Sequence, residues 1–190
     1  MKSLLLCGAI FVLTQLQGCL ALGVAGATSV AVIATDPRTS DQQLADQRIE
    51  LDVDKLLAKA PYKSDNSRFS DVSFYGTVLL VGQSKDMSLV SSLIPKIKAI
   101  TSVTKVYNQV RYIDPIGIGQ ISKDTYITSK VKTAMVADKN LTSNAVKVLT
   151  ENSEVFLLGK VSHKQGALAA EIARNVNGVS QVIVAFEFTD

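Results

Sequence analysis

Two stretches decide the fold. Leu79-Leu80-Val81-Gly82 is followed, 21 positions after its glycine, by Val103-Thr104-Lys105-Val106-Tyr107-Asn108-Gln109-Val110. Phe156-Leu157-Leu158-Gly159 is followed, 20 positions after its glycine, by Val179-Ser180-Gln181-Val182-Ile183-Val184-Ala185-Phe186. An amphipathic run lies between the halves of each pair. One pattern therefore occurs twice, and internal repetition is settled first because it fixes the unit of architecture.

Upstream of each apolar tetrad lies a helical stripe: Ile49, Val53, Leu56 and Leu57 in the first copy, Ile127, Val131, Ala134 and Met135 in the second. Spacings of 4, 7 and 8 put each set on one helix face, as needed to cover a sheet. Asp46 and Asp124 precede the stripes by three residues. There an N-cap or first-turn carboxylate would satisfy free N–H groups and oppose the helix dipole. Residues 68–75 and 77–81 read as strands joined near Gly76, and 146–150 and 154–158 as strands joined by Glu151-Asn152-Ser153. Gly82 and Gly159 are read as ending the second strands, where the missing Cβ permits a positive φ or close approach of the following helix. Second helices are predicted over about 85–99 and 164–176, the first bent at Pro95, and a parallel strand closes each unit.

The fold class is thus α+β, two tandem α-β-β-α-β units, each with two helices packed on a three-stranded mixed sheet. The expected divisions are 1–18 signal segment, 19–43 acylated N-terminus and tether, 44–113 first domain, 114–121 linker and 122–190 second domain. At this size each unit's core is marginal alone, so packing the copies together would stabilise both. The Pro- and Gly-containing linker 114–121 limits how far they can separate.

The N-terminus carries Lys2, an apolar run over residues 4–13 and then Leu16-Gln17-Gly18-Cys19. That run is too short to span a bilayer, which takes roughly 20 apolar residues, and suits a signal segment. The tetrad resembles the bacterial lipobox, with Cys19 as the acylated residue. The same stretch also admits an ordinary cleaved signal with an incidental cysteine, or an uncleaved span running on through Ala25. The chain has two cysteines, Cys7 and Cys19, so acylation of Cys19 after loss of Cys7 leaves no thiol or disulfide and stability must come from the core. Leu20 rather than Asp follows Cys19, which by resemblance to Gram-negative sorting signals favours the outer membrane.

The chain carries 20 basic and 17 acidic side chains, and loss of Lys2 with the signal leaves +2. A nucleic-acid surface would need a basic stripe or a larger excess. The single histidine, His163, has no second His or Cys to share a metal with. Glu151 and Glu154 read as a solvated turn rather than an acid/base pair, and Gly117-Ile118-Gly119 is too short for a dinucleotide fingerprint. The reading is non-enzymatic, with no cofactor and no metal.

The helix-hairpin-helix-strand unit with a glycine after its second strand, duplicated behind a lipobox, resembles the BON family of bacterial envelope modules. Ala34-Thr35-Asp36-Pro37-Arg38, Val78-Leu79-Leu80-Val81-Gly82-Gln83-Ser84, Val106-Tyr107-Asn108, Pro115-Ile116-Gly117 and Asp124-Thr125-Tyr126-Ile127-Thr128 carry the likeness to its dual-domain outer-membrane lipoproteins. The resemblance implies a periplasm-facing, lipid-anchored outer-membrane protein that supports membrane integrity. It also implies binding of anionic, phosphatidylglycerol-like phospholipid through the first helix of the second domain. Carried onto this sequence, that helix starts at Ser122 and presents Tyr126, Lys130 and Thr133, with Ile118 in the preceding loop inserting beside it. The family pattern has Trp at Tyr126, so a smaller aromatic area is expected to bind more weakly. Lys123, Lys130 and Lys132 add attraction to a negative surface. The alternative is an adaptor that binds another envelope protein through its sheet edges or first domain, anchored only through Cys19.

Overall fold

The computed structural model describes residues 36–190; the signal segment, Cys7, Cys19 and the lipobox tetrad lie outside the described residues. Pro37–Asp190 forms one compact unit. Its elements are α1 (Ser40–Leu57), β1 (Ser67–Phe74), β2 (Thr77–Ser84), α2 (Met87–Lys98), β3 (Lys105–Arg111), α3 (Ile118–Ala137), β4 (Val146–Glu151), β5 (Glu154–Val161), α4 (His163–Arg174) and β6 (Gln181–Phe188). Two three-stranded sheets form, ordered β1-β2-β3 and β4-β5-β6. In each, the first pair is antiparallel and the second parallel, so both are mixed, as the repeat predicts.

Both opening helices begin earlier than expected. α1 starts at Ser40 because Thr39 supplies a capping box: its hydroxyl accepts the Gln42 N–H at 3.2 Å, and Gln42 Oε1 accepts the Thr39 N–H at 2.9 Å. α3 starts at Ile118, so this residue is helical rather than in the loop. α2 runs on past Pro95 to Lys98.

Asp46 and Asp124 do not cap helices. They sit inside α1 and α3, buried, and hold the hairpin turns. Asp46 accepts the backbone N–H of Tyr75 at 2.9 Å and of Gly76 at 2.8 Å, the Ser73 hydroxyl at 2.9 Å and an Arg38 N–H at 2.8 Å. Asp124 accepts the N–H of Asn152 at 2.7 Å and of Ser153 at 2.8 Å, with Gln120 Nε2 at 2.7 Å. These are two-residue turns with positive φ at both positions, 52° and 72° in the first and 51° and 64° in the second. That is the sign pattern of the type I′ hairpin, which suits strand twist but is strained for Tyr75, Asn152 and Ser153. The carboxylates satisfy the N–H groups that such turns leave open.

The central strands are buried on both faces. In β2, Val78 and Leu80 join Ile49, Val53, Val90, Leu93 and Ile97 in a helix-side core, while Leu79 and Val81 face the other way. In β5, Val155 and Leu157 meet Ile127, Val131 and Met135, while Phe156 and Leu158 face the other way. The outward sets, with Phe74, form one shared core, so the sheets pack face to face in a helix-sheet-sheet-helix stack. Near-continuous apolar runs in β2 and β5 signal this two-sided burial. Gly82 and Gly159 lie within these strands rather than at their ends. A Cβ on Gly82, at φ 128°, would come within 2.0 Å of the Arg68 carbonyl oxygen, and one on Gly159 within 2.4 Å of that of Ala145. The close approach is thus from neighbouring chain beside the strand and not from the following helix.

A polar latch closes one end of the shared core. Glu151, expected to be solvated, is buried and pairs with Arg68 across the modules while accepting Gln83 Nε2 at 2.6 Å. Gln83 in turn accepts the Ile116 N–H at 3.3 Å, tying the linker to the same point. Glu154 pairs with Arg111 at 3.0 Å.

Asp71 on edge strand β1 faces α1, where burial first, then the charges of Asp54 and Glu50, push its carboxyl up to about 8. Its Oδ2 is buried without a hydrogen-bond partner among the described residues. The folded state therefore holds a proton that the unfolded chain releases near pH 4, and stability falls as pH rises from about 4 to 8. Asp71→Asn is expected to raise the melting temperature by an amount that is near zero at pH 4 and largest by pH 8; a difference independent of pH would contradict the assignment. Asp124→Ala, which strands two turn N–H groups, is expected to cost about 3 kcal/mol in urea unfolding, against less than about 0.5 kcal/mol if the clamp is idle.

Candidate functional site

α3 is positioned from beneath. Ile127, Val131 and Met135 are buried against the second sheet, and Asp124, one turn before Ile127, is bonded to the β4–β5 turn. Three apolar contacts and one ionic clamp along the same face fix the rotation of the helix about its axis. Positions 118, 122, 126, 129, 133 and 136 then face away from the sheet.

That outer face carries large apolar groups. Ile118 is 83% exposed, Tyr126 64% and Val136 70%. Ile118 and Tyr126 lie eight residues apart, about 12 Å along the axis. Thr133 is exposed on the same side, with Ser122 and Ser129 between. Ile118, Tyr126 and Thr133 thus share one surface. Lys130 sits at its flank, half-buried, with its ammonium 5.4 Å from the Tyr126 ring centroid and donating to the Asn177 carbonyl at 3.4 Å. This cation–π contact places a positive charge beside the aromatic.

Sequence reasoning missed Val136. The i, i+3, i+4 series that contains it becomes visible only once the helix is started at Ile118. Tyr112 and Ile113, exposed just ahead of the linker, were also missed; Lys85 lies 5.7 Å from the Tyr112 ring centroid. No periodic signal marks them, because they stand between elements.

The helix carries Lys123, Lys130 and Lys132 against one acid, Asp124, whose carboxylate is consumed by the turn. Its outward charge is therefore positive. Partial burial, then Lys147, hold the Lys132 ammonium below its ordinary value. His163 opens α4 on another surface, its Nδ1 2.8 Å from Asp190 and its ring stacked on Phe188 at 3.9 Å. Among the described residues no helix is long and apolar enough to cross a membrane. What the α3 face can do chemically is lie flat on an amphipathic, negatively charged surface, with aromatic and aliphatic groups inward and lysines at the rim.

The sequence matches the BON domain over residues 45–114 and again over 123–190. It is 38% identical over 175 residues to the outer membrane lipoprotein DolP of Haemophilus influenzae, covering 92% of this chain and 91% of that protein. It is 40% identical over 153 residues to the 21 kDa hemolysin of Actinobacillus pleuropneumoniae, covering 80% and 79%. Among solved structures, the C-terminal domain of CdsD, a structural protein of the Chlamydia trachomatis type III secretion system, aligns with 13% identity and a TM-score of 0.31 over 74% of this chain and 96% of that one.

Because the outer face of α3 makes so few internal contacts, Ile118→Ala and Tyr126→Ala are each expected to leave unfolding free energy within about 0.5 kcal/mol of the parent. Chemical denaturation checks this; a loss above about 2 kcal/mol would mean the side chains belong to the core.

Proposed function

The chain belongs to the BON-domain family, with two modules in tandem, and on that premise we propose that it is a non-enzymatic outer-membrane lipoprotein, facing the periplasm, whose second module docks on anionic phospholipid. The first anchor is the acyl group on Cys19, outside the described residues. The second is α3, with Ile118, Tyr126 and Thr133 at the headgroup level and Lys130 beside them. Its role is support of outer-membrane integrity; the Haemophilus relative is named as an outer membrane lipoprotein.

The observation that carries this reading is an apolar and aromatic outer face on a helix whose rotation is locked from below. Each Lys near an anionic leaflet contributes about 1 kcal/mol, so Lys123, Lys130 and Lys132 together supply about 3 kcal/mol, weakened by salt. Tyr126 and Ile118 add burial at about 25 cal/mol per Å² of apolar surface. Neither contribution alone is a stable anchor, which suits a helix that selects a surface for a body tethered by lipid.

A second reading has its own observation. β6 is an edge strand with Val184 and Phe188 exposed, a place where an extended segment of another envelope protein could add. The adaptor so described would contact membrane only through Cys19.

Co-sedimentation of residues 36–190 with phosphatidylglycerol vesicles and with phosphatidylcholine vesicles separates the two. Docking predicts pelleting with the anionic lipid alone, reduced at high salt and lost in Tyr126→Ala. Absence of pelleting with either lipid would leave acylation as the membrane contact and favour the adaptor.

A further inference from the structure

Between α3 and β4 runs a groove of about 440 Å³, lined also by Arg68 and Ser70 from β1 of the first module. Lys132 lines it and makes no hydrogen bond or ion pair among the described residues, although its surroundings and Lys147 already disfavour its charge. Lys132 is solvent-exposed at the groove, and an ammonium beside a like charge and without a counter-ion is open to an incoming anion. Thr125, Ser129 and Thr150 line the same groove. The two carboxylates at its floor are committed. Asp124 accepts the Asn152 and Ser153 N–H groups and Gln120, and Glu151 accepts Arg68 and Gln83. The open donors are those of Lys132, Ser70, Thr150, whose hydroxyl accepts from Thr128, and the remaining guanidinium N–H groups of Arg68.

The first module shows what the same framework does when it is not built for an anion. Aligning the helices on Asp46 and Asp124, and the hairpins on their turns, puts Glu50, Asp54 and Asp71 where the second module has Thr128, Lys132 and Val148. The polar tie between helix and strand survives the exchange: Glu50 accepts the Ser73 N–H at 2.9 Å in one module, and Thr128 donates to Thr150 at 2.7 Å in the other. One groove is thus acidic and the other carries an unpaired cation.

We propose that the groove between α3 and β4 binds a phosphoryl group, held by Lys132 and Arg68 at the junction of the two modules. Ser70 and Thr150 donate to its remaining oxygens. The site deepens the membrane-docking reading in that a phosphodiester headgroup is one source of the ligand; free phosphate is the other. It also gives the first module a part in recognition, since Arg68 and Ser70 belong to β1.

The test is an amide and Arg Nε NMR titration of residues 36–190 with sodium phosphate, against sodium chloride at equal ionic strength, in the parent, Lys132→Gln and Tyr126→Ala, with vesicle co-sedimentation in parallel. Saturable shifts confined to residues around 68–70, 125–132 and 150 are expected in the parent and in Tyr126→Ala, and are absent in Lys132→Gln. Lys132→Gln is also expected to weaken phosphatidylglycerol binding about fivefold. Phosphate shifts without vesicle binding would sustain the site with free phosphate as ligand while ending the docking reading. Vesicle binding with no phosphate shifts, and unchanged in Lys132→Gln, would overturn the site and leave docking intact. Diffuse shifts that chloride reproduces would overturn it as well.

Discussion

β2 and β5 carry apolar side chains on both faces, and a helix layer on one side with a second sheet on the other is what removes them all from water. Leu79, Val81, Phe156 and Leu158 would lie open on a module standing alone. At about 1.5–3 kcal/mol for each side chain fully buried, the shared core is a large part of the stability of units this small. The sheets therefore come together as one body, and the Arg68–Glu151–Gln83 latch selects which ends meet. A buried ionic group of this kind is a modest source of stability but discriminates strongly against slipped arrangements, in which Glu151 would lose its partners.

The carboxylates inside α1 and α3 transmit that order outward. Each joins a helix to the tip of the hairpin that follows it in sequence, so the helix can neither roll nor slide without stranding turn N–H groups in a buried place. For α3 the result is a fixed outer face. Ile118, Tyr126, Thr133 and Val136 point away from the sheet because Asp124, Ile127, Val131 and Met135 point toward it. Lys132, at the border, leans into the groove shared with β1. The face proposed to meet the membrane and the groove between the modules thus lie on two sides of one helix.

How much of this could be read from sequence depends on the range of each interaction. The repeat, the element order, the mixed sheets and the core stripes follow from local periodicity and were legible. Asp46 and Asp124 were misread because a carboxylate near a predicted helix start is locally indistinguishable from a cap, and the N–H groups they serve lie 28–30 residues away in sequence. The starts of α1 and α3 were placed late for the same reason, the misplaced caps. Glu151 reads as solvated from sequence because its partner, Arg68, sits in the other module, 83 residues earlier. Gly82 and Gly159 were recognised as special, but the chain that crowds them is visible only once strands are paired. Of the exposed outer face of α3, Ile118, Tyr126 and Thr133 are named by the family pattern. The groove at Lys132 was not legible, since Arg68 and Ser70 in its lining come from the first module.

In the proposed function, the outer face of α3 enters an anionic lipid surface. The chain contains no tryptophan, so Tyr126→Trp places a single reporter on that face. With residues 36–190 carrying this substitution, such docking predicts a blue shift of emission on adding phosphatidylglycerol vesicles, quenching by brominated acyl chains, and no change with phosphatidylcholine. Emission that stays at its aqueous wavelength with both lipids would contradict it.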